Sequence, residues 1–275
     1  MNVKSVLRDL HGLDLLDLQV LLAHILKVSR ADLYAFDDRE LTETEYNSWM
    51  VLLARRLAGE PVAYLVGEKE CFGMSFIVTP DVLIPRPDTE CLIESSLRAG
   101  GPECRGETSF DRFTILDLGT GSGVIACVLA SHIPDSNILA TDISPAALAI
   151  AEKNVARHGL KNVTLRASDG FKNIPETFDL IVSNPPYLAK NDLHLSGEIR
   201  FEPIGALVAD DDGFAMLRRI IEGAVTHLNP GGCICLEHGF EQGPGVRGLF
   251  NEYGFNDITT VNDLSGHERV TTARK

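Results

Sequence analysis

From residue 113 to the last residue, short apolar segments typical of strands alternate with longer segments of helical period. This alternation favours a parallel sheet with helices on both faces, because each return to a parallel strand needs a crossover connection. No helical segment separates the last two strands, so they should pair antiparallel at one edge. The predicted fold class is α/β, with a doubly wound, mostly parallel seven-stranded sheet. The strands are predicted at 113–118, 137–141, 163–166, 178–183, 233–237, 258–261 and 270–273, and the helices at 123–132, 145–157, 213–228 and 246–253.

The residues before this segment follow a different pattern. Residues 1–72 carry apolar side chains at helical spacing and predict a small helical bundle that docks the substrate. Within it, Thr42 and Glu45 match a capping box at the start of a helix. Residues 73–100 predict a β-hairpin linker and a helix, and residues 101–275 predict the main domain, which begins with an irregular loop over 101–112.

The net charge and the cysteine spacing argue against two classes of function, nucleic-acid binding and zinc binding. The formal net charge of -14 over 275 residues opposes non-specific binding to nucleic acid, which requires basic side chains. Among the six cysteines only Cys233 and Cys235 are close in sequence, and their spacing fits neighbours on one face of a buried strand rather than a zinc site. We expect a cytoplasmic protein with reduced cysteines, no metal and no membrane segment.

The tetrapeptide Asn184-Pro185-Pro186-Tyr187 directly follows the strand predicted over 178–183. Two consecutive prolines end the strand and restrict the backbone at its tip. The Asn184 Oδ1 atom and the Pro185 carbonyl can each accept an N–H hydrogen bond, and the Tyr187 ring can stack on a flat group. This set predicts a site for a planar group that carries an NH2.

A glycine-rich loop follows the first predicted strand of the main domain. Gly119, Gly121 and Gly123, with Thr120 and Ser122 between them, allow a sharp turn and close approach of a ligand to the backbone. Asp142 ends the second strand, 19 residues after Gly123, at a spacing that suits hydrogen bonds from ribose hydroxyls. A dinucleotide site would produce a similar pattern, although it favours a longer glycine motif.

A third strand end adds a further acid. Asp169 follows the strand predicted over 163–166 and can accept a hydrogen bond from an adenine amino group, while the Gly170 or Phe171 N–H can reach a ring nitrogen. Open parallel sheets bind their ligands at the carboxyl ends of the strands. The three strand ends therefore predict a nucleoside-containing cofactor beside the tetrapeptide.

In combination, these residues resemble the class I S-adenosylmethionine-dependent methyltransferases, and the tetrapeptide is similar to that of their amino and amide nitrogen methyltransferases. Further motifs are similar to those of the release-factor glutamine methyltransferases, the HemK/PrmC family, and this resemblance covers nearly the whole chain. These motifs are Ile-Pro-Arg-Pro-Asp-Thr-Glu at 84–90, Phe-Glu-Pro at 201–203 with Ala206-Leu207, Leu-Glu-His-Gly at 236–239 and Glu-Arg-Val at 268–270.

The resemblance implies methyl transfer from S-adenosyl-L-methionine to the side-chain amide nitrogen, N5, of the glutamine in the Gly-Gly-Gln motif of class I peptide-chain release factors, with S-adenosyl-L-homocysteine as the product. It places the glycine loop by the methionine part of the cofactor, Asp142 by the ribose, and Asp169 and Gly170 by the adenine. The tetrapeptide would hold the glutamine amide. We expect a monomer without direct contact to nucleic acid, and we assign no catalytic role to Glu202 or His238.

Three alternatives remain open at this stage. Asn-Pro-Pro-Tyr also suits the exocyclic amino group of adenine or cytosine in nucleic acid, although the acidic charge opposes this function. A glutamine methyltransferase of a ribosomal protein would use the same chemistry. A cofactor-binding protein without catalysis is a different class, and the intact tetrapeptide argues against it.

Overall fold

The computed structural model describes residues 1–8, 12–99 and 112–275, so the loop predicted over 101–112 lies, apart from Arg112, outside the described residues. The chain divides into two compact units. The first contains Met1–Glu68 and Ser196–Phe201, and the second contains Lys69–Leu195 and Glu202–Lys275.

The first unit is a helical bundle. Its longest helix, α4, begins at the predicted capping box: the Thr42 side chain accepts a hydrogen bond from the Glu45 N–H, and the Glu45 side chain accepts one from the Thr42 N–H. Apolar side chains from several helices, among them the fully buried Trp49, form the core of this unit. The helices are α1 (Val3–Arg8), α2 (Leu15–Leu26), α3 (Arg30–Ala35), α4 (Glu43–Leu57) and α5 (Val62–Val66).

The short segment Ser196–Phe201 belongs to this bundle, although it is distant in sequence. Arg56 forms ion pairs with Glu198 and with Asp17, the latter at 2.8 Å. Arg200 Nη2 donates a hydrogen bond to the Ala58 carbonyl at 2.5 Å. The segment was not predicted as part of the bundle, because its own sequence does not indicate which distant helices it contacts.

The second unit is built on a seven-stranded sheet with strand order β5-β4-β3-β6-β7-β9-β8. Strands β5, β4, β3, β6 and β7 run parallel. Strand β9 pairs antiparallel with β8, as predicted, and also with β7. The sheet strands are β3 (Phe113–Leu118), β4 (Ser136–Asp142), β5 (Val163–Ala167), β6 (Phe178–Ser183), β7 (Leu228–Glu237), β8 (Asn256–Asn262) and β9 (Glu268–Arg274). The helices are α6 (Asp88–Ala99), α7 (Val124–His132), α8 (Pro145–Arg157), α9 (Ala215–His227) and α10 (Gly243–Glu252). Short 3-10 helices lie at Leu193–Leu195 and Ile204–Ala206, and another, at Gly197–Phe201, belongs to the first unit.

Alternate residues of the central strands enter two separate cores, one on each face of the sheet. Ile115 packs with helices α6 and α7 on one face, while its neighbour Leu116 packs with α9 and α10 on the other. Cys233 and Cys235 share the first face, as the strand period predicts, and neither forms a disulfide. The α/β fold class with a mostly parallel, doubly wound sheet is therefore confirmed.

Two local predictions differ from the structure. The hairpin pairs β1 (Glu68–Cys71) with β2 (Met74–Ile77) and so begins before residue 73, where the predicted linker starts. Phe72 and Gly73 make the turn, with positive φ angles of 51° and 70°. Residues 229–232, which lie between the predicted helix 213–228 and the predicted strand 233–237, are part of β7. Its extra residues form an irregularity, so that Phe178 pairs with Leu228 but Leu180 pairs with Cys233.

A buried asparagine connects the hairpin to the start of α7. Asn154 of α8 is 0% exposed; its Oδ1 accepts the Ile77 N–H at 2.8 Å, and its Nδ2 donates to the carbonyls of Ile77 and Ser122 at 3.0 and 2.8 Å. Three backbone groups are thus satisfied by one side chain.

We predict that Asn154→Ala lowers the free energy of unfolding by about 3 kcal/mol, because burial leaves these backbone groups without water or another partner. Urea unfolding of the full chain measures the change. The matched variant Asn251→Ala removes an exposed side chain that bonds the Arg247 carbonyl and should change stability by less than about 0.5 kcal/mol. Equal effects of the two variants would contradict this role of Asn154.

Candidate active site

The carboxyl ends of four parallel strands line one cavity of about 270 Å³ in the second unit. Residues Gly119–Ser122 follow β3, Asp142 ends β4, and Asp169 and Gly170 follow β5. Asn184, Pro185 and Pro186 follow β6 and line the same cavity. The structure therefore brings together most of the site residues that the sequence predicted.

The glycine loop turns away from β3 and exposes backbone to the cavity. The Gly119 and Thr120 N–H groups both donate to the Thr141 carbonyl, at 2.8 and 2.9 Å, which fixes the turn against β4. Gly119 and Gly121 have φ angles of +72° and +55°, and no heavy atom outside the adjoining residues lies within 4 Å of where a Cβ would project. A ligand can therefore approach this backbone closely.

Gly123 has a different role. It has a φ of +81° and precedes the first residue of α7, and a Cβ there would lie 3.2 Å from the Ala151 Cβ of α8. Gly123 is not among the residues that line the cavity. Its lack of a side chain serves the close packing of α7 against α8.

Asp142 connects the glycine loop to the next helix. Its Oδ2 accepts the Gly121 N–H and its Oδ1 accepts the Ser144 N–H, both at 2.9 Å. A carboxylate has about four acceptor positions, so further hydrogen bonds can still form on the cavity side. Asp142 therefore both shapes the loop and offers acceptors to a ligand.

Asp169 and Gly170 form the cavity wall beside α9. Arg219 of α9 donates to Asp169 Oδ1 at 2.5 Å and to the Asp169 carbonyl at 2.7 Å, and the hydrogen bond from Arg219 lowers the pKa of the Asp169 carboxyl. A Cβ at Gly170 would lie 3.2 Å from the Arg219 guanidinium. Arg219 thus holds the Asp169 carboxylate and covers the Gly170 backbone.

The Phe171 ring packs against α9. Its ring stacks on His227 with 4.4 Å between ring centroids and lies against Gly223, where a Cβ would come within 2.2 Å of the ring. Phe171 does not line the cavity. The Phe171 ring therefore packs against Gly223 and His227 of α9, and the predicted contact of the Phe171 N–H with a ring nitrogen stays a prediction.

The tetrapeptide presents its first residues to the cavity and its last to the protein core. The Asn184 Nδ2 donates to Thr89 Oγ1 at 3.3 Å, which leaves Oδ1 as the acceptor that is not committed to Thr89. The partly buried Tyr187 packs against the core beneath α9, and its hydroxyl donates to Glu237 Oε1 at 3.4 Å. The stacking role predicted for Tyr187 is therefore not supported, because its ring is absent from the cavity lining.

Gln242 and Gly213 fix the position of the Tyr187 backbone carbonyl. Gln242 Nε2 donates to the Tyr187 carbonyl at 3.1 Å, while Gln242 Oε1 accepts the Gly239 N–H at 2.9 Å. Gly213 has a φ of +88°, and a Cβ there would lie 2.1 Å from the Tyr187 carbonyl oxygen. Only glycine fits at this position without moving the tetrapeptide.

Two buried side chains near the tetrapeptide were not assigned a role from the sequence. Glu237 at the end of β7 is 0% exposed, and Thr89 of α6 is 2% exposed. Burial raises the pKa of Glu237 to about 7, while the nearby Thr89 hydroxyl and the charge of Arg269 act in the opposite direction. The only sequence signal for either residue is its place inside the motifs at 84–90 and 236–239.

Glu202 and His238, which received no catalytic assignment, have structural partners. Glu202 accepts the Ile84 N–H at 3.0 Å and pairs with Arg86, and so fixes the loop that contributes Pro85 to the cavity. His238 Nδ1 lies 2.9 Å from the Gly239 carbonyl, and Nε2 lies 2.8 Å from Thr271 Oγ1. Neither residue is among those that line the cavity.

Comparison with known proteins decides the family. Two family models match: the Methyltransferase small domain over residues 107–201 and the PrmC N-terminal domain over residues 2–67. A protein of Bordetella pertussis named release factor glutamine methyltransferase is 45% identical over 274 residues, which cover 98% of this chain and 97% of that protein. A protein of the same name from Haemophilus influenzae is 46% identical over 266 residues, covering 93% and 90%. The chain belongs to the release factor glutamine methyltransferase family.

Solved structures agree on the fold of this family member. A methyltransferase from Pyrococcus furiosus superposes with a TM-score of 0.53 at 21% identity, covering 81% of this chain and 96% of that one. The sheet is therefore that of the class I, Rossmann-like methyltransferases, and the helical N-terminal segment matches its own family model. Within the described residues no helix has the length and apolar content to cross a membrane, and no group of three or more His, Cys, Asp or Glu is arranged to hold a metal ion.

The cofactor that this family implies fits the cavity on the evidence of the structure itself. The open space over Gly119 and Gly121 accommodates a ligand group against the backbone. The acceptors of Asp142 and Asp169 lie at successive strand ends, where the hydroxyl and amino groups of an adenosine can donate to them.

Asp117, at the end of β3, gives this methyltransferase fold a pH-dependent stability. The side chain is 0% exposed and accepts a hydrogen bond from Thr120 Oγ1 at 2.6 Å. Burial raises the pKa of Asp117 to about 7, although the Thr120 hydrogen bond opposes this shift. The folded state therefore retains a proton on Asp117 that the unfolded chain releases near pH 4.

We predict that the stability due to this proton is present below about pH 4 and is lost as the pH rises toward 7. Asp117→Asn, which stays neutral, should show a flatter dependence of unfolding free energy on pH across this window. The exposed variant Asp135→Asn serves as the control and should retain the wild-type profile. Coincident profiles for Asp117→Asn and wild type would show that Asp117 is already ionised in the folded protein.

Proposed function

We propose that this chain transfers a methyl group from S-adenosyl-L-methionine to the N5 side-chain amide nitrogen of the glutamine in the Gly-Gly-Gln motif of class I peptide-chain release factors. The observation that carries the proposal is the position of Asn184 and Pro185 in the same cavity as the glycine loop and Asp142. Family membership supports the choice of substrate, and the reaction takes place in the cytoplasm, where release factors act.

The residues assigned to the cofactor are those of the first three strand ends. Gly119, Thr120, Gly121 and Ser122 would hold its methionine part through backbone contacts, while Asp142 would accept hydrogen bonds from the ribose hydroxyls. Asp169 and the backbone of Gly170 would lie by the adenine. The Arg219 ion pair supports this assignment, because it fixes the Asp169 side chain at the cavity wall.

The glutamine amide would bind at the fourth strand end. Its NH2 group has two N–H donors, and the side-chain Oδ1 of Asn184 and the backbone carbonyl of Pro185 offer two acceptors. Because Tyr187 is anchored to Glu237 and Gln242, we assign it to holding the tetrapeptide rather than to contact with the substrate.

The chemistry requires positioning more than acid–base assistance. An amide nitrogen is a poor nucleophile, since its lone pair is delocalised into the carbonyl, and the cofactor supplies a methyl group that is already activated on a sulfonium. Two acceptors on the N–H groups orient the nitrogen and raise its electron density, and the surplus proton passes to water after transfer. Asn184 cannot act as a base, because an amide oxygen is barely basic.

We predict that substitution of Asn184 mainly lowers turnover, whereas substitution of Asp142 mainly weakens cofactor binding. Asn184→Ala should reduce kcat for methylation of a release factor by about 100-fold, because one oriented acceptor is lost. Its affinity for S-adenosylhomocysteine, measured by calorimetry, should stay close to wild type. Asp142→Ala should weaken that affinity by about 1–3 kcal/mol.

Asn251→Ala on the surface is the control for both measurements. Unchanged turnover in Asn184→Ala would remove Asn184 from the substrate site, and unchanged affinity in Asp142→Ala would remove Asp142 from the cofactor site.

We further propose that the helical bundle contacts the body of the release factor, away from the methylated loop. A specific protein interface usually buries about 1,200–2,000 Å², and a tripeptide supplies little of that area. Large apolar side chains on the bundle are well exposed, among them Tyr34 at 67%, Phe36 at 58% and Val51 at 59%. Aromatic side chains such as Tyr34 and Phe36 are enriched at the cores of protein interfaces.

We predict that serine in place of Tyr34, Phe36 or Val51 raises the KM for an intact release factor by about tenfold at one or more of the three positions. The same variants should methylate a short Gly-Gly-Gln peptide at the wild-type rate, since a peptide lacks the body of the factor that the bundle would contact. The exposed Leu264 of the second unit, changed to serine, is the control. Wild-type KM at all three positions would contradict docking through these side chains.

A further inference from the structure

The charged side chains that line the cavity are acidic. Among the described residues of the lining they are Asp81, Asp142 and Asp169, and no lysine, arginine or histidine of these residues lines it. The cavity therefore carries a negative formal charge before any ligand binds. Asp81, in the segment after β2, is the one of the three that the ribose and adenine assignments do not use.

A turn fixes Asp81 at the rim of the cavity. The Asp81 N–H donates to Thr79 Oγ1 at 3.3 Å, and the Thr79 hydroxyl donates to Asp81 Oδ2 at 2.9 Å. The Val82 N–H closes the turn on the Thr79 carbonyl at 3.0 Å. Val82 is 1% exposed and anchors the turn, whereas Asp81 is exposed where the cavity opens to solvent. The Asp81 Oδ1 atom is the acceptor that Thr79 does not use.

The same turn is connected to the glycine loop. The Asn154 side chain bonds both backbone groups of Ile77, two residues before Thr79, and also the Ser122 carbonyl. Ser122 and Asp81 line the same cavity. The segment that bears Asp81 is thereby fixed relative to the loop that would hold the methionine part of the cofactor.

Arg219 offsets only one of the three negative charges. It pairs with Asp169 at 2.5 Å. Asp142 accepts two backbone N–H groups, and Asp81 accepts the Thr79 hydroxyl. Within the described residues neither of these two carboxylates forms an ion pair, so two negative charges line the cavity without a paired cation.

We propose that Asp81 is a specificity-determining residue that makes the cavity prefer the positively charged methyl donor to its uncharged product. This inference rests on the proposed function. S-Adenosylmethionine carries a sulfonium in addition to the ammonium and carboxylate of its methionine part, so it has one net positive charge. S-Adenosylhomocysteine has lost the sulfonium charge with the methyl group and is neutral. The two ligands differ by one methyl group and one charge, and only the charge interacts with a carboxylate at a distance.

The expected preference is modest because Asp81 is exposed. A carboxylate at a solvent-exposed rim interacts with a cation through a high effective dielectric constant, and salt screens the attraction. The effect on affinity is therefore several-fold and decreases as the ionic strength rises. A neutral ligand in the same position gains nothing from this charge. Exchange of bound product for fresh donor is favoured accordingly, which limits inhibition by the product.

Three substitutions separate the charge of Asp81 from its shape. Asp81→Asn removes the charge, while its side-chain oxygen can still accept the Thr79 hydroxyl. Asp81→Glu retains the charge. Asp135→Asn removes one negative charge from an exposed turn before β4, at the opposite end of that strand from Asp142, and so reports the effect of net charge alone.

Calorimetry on the full chain, without a release factor, is the test. The ligands are S-adenosylmethionine, S-adenosylhomocysteine and sinefungin, an analogue that bears an amine in place of the methylated sulfur. We expect Asp81→Asn to weaken binding of the two cationic ligands about three- to fivefold and to change the affinity for S-adenosylhomocysteine by less than about 1.5-fold. Asp81→Glu and Asp135→Asn should keep the ratio of donor to product affinity within about 1.5-fold of wild type. Raising NaCl from about 20 mM to about 500 mM should lower this ratio more in wild type than in Asp81→Asn.

Two results would overturn the inference. An equal loss of affinity for donor and product in Asp81→Asn would show that Asp81 contacts a part that both ligands share. An unchanged ratio in Asp81→Asn would show that its charge does not act on the sulfonium. If the wild-type chain binds both ligands and methylates the glutamine, either result removes this inference and leaves the proposed function intact. If the wild-type chain binds neither ligand, both fail.

Discussion

Parallel pairing of β3 with both β4 and β6 is the constraint on which the site depends. In this register Leu118 lies beside Thr141 and beside Ser183. The next residue of each strand end is therefore Gly119, Asp142 or Asn184, and the three reach the same edge of the sheet together. A shift of one residue in either pairing would turn the side chains of that strand to the opposite face. The two apolar cores, one on each face, prevent such a shift because each accepts only alternate residues.

Buried polar groups adapt this apolar frame to its function, at some cost in stability. Asn154 satisfies backbone groups that the hairpin and the glycine loop leave open, so its burial is compensated. Asp117 and Glu237 are different. Burial raises the pKa of each to about 7, so ionisation of either group destabilises the folded state. Both lie at the carboxyl ends of strands, directly behind the glycine loop and the tetrapeptide. Each accepts one hydrogen bond from a residue of these two elements, Asp117 from Thr120 and Glu237 from Tyr187.

Much of this arrangement could be predicted from the sequence, because it follows from local patterns. The period of two in the strands and the helical period between them identified the seven strands and their mostly parallel order. The position of a residue at a strand end then predicted that Asp142 and Asn184 would share a cavity, as they do.

Other features could not be predicted, because they depend on partners distant in sequence. Ser196–Phe201 joins the helical bundle through Arg56 and the Ala58 carbonyl, which no local pattern indicates. The rings of Phe171 and Tyr187 turn to the core because space exists beside His227 and beneath α9, and a strand end alone does not specify that direction. Thr89 lies 95 residues before Asn184, so their hydrogen bond becomes visible only in the folded chain.

The central claim is that the strand ends assemble an acceptor pair for a glutamine amide beside a methyl donor. Incubation of the full chain with methyl-labelled S-adenosylmethionine and a class I release factor, followed by fragmentation mass spectrometry of the factor, tests it most directly. We predict a single added methyl group on the side chain of the Gly-Gly-Gln glutamine. Label on another residue of the factor, or no label while the chain binds the cofactor, would contradict the account.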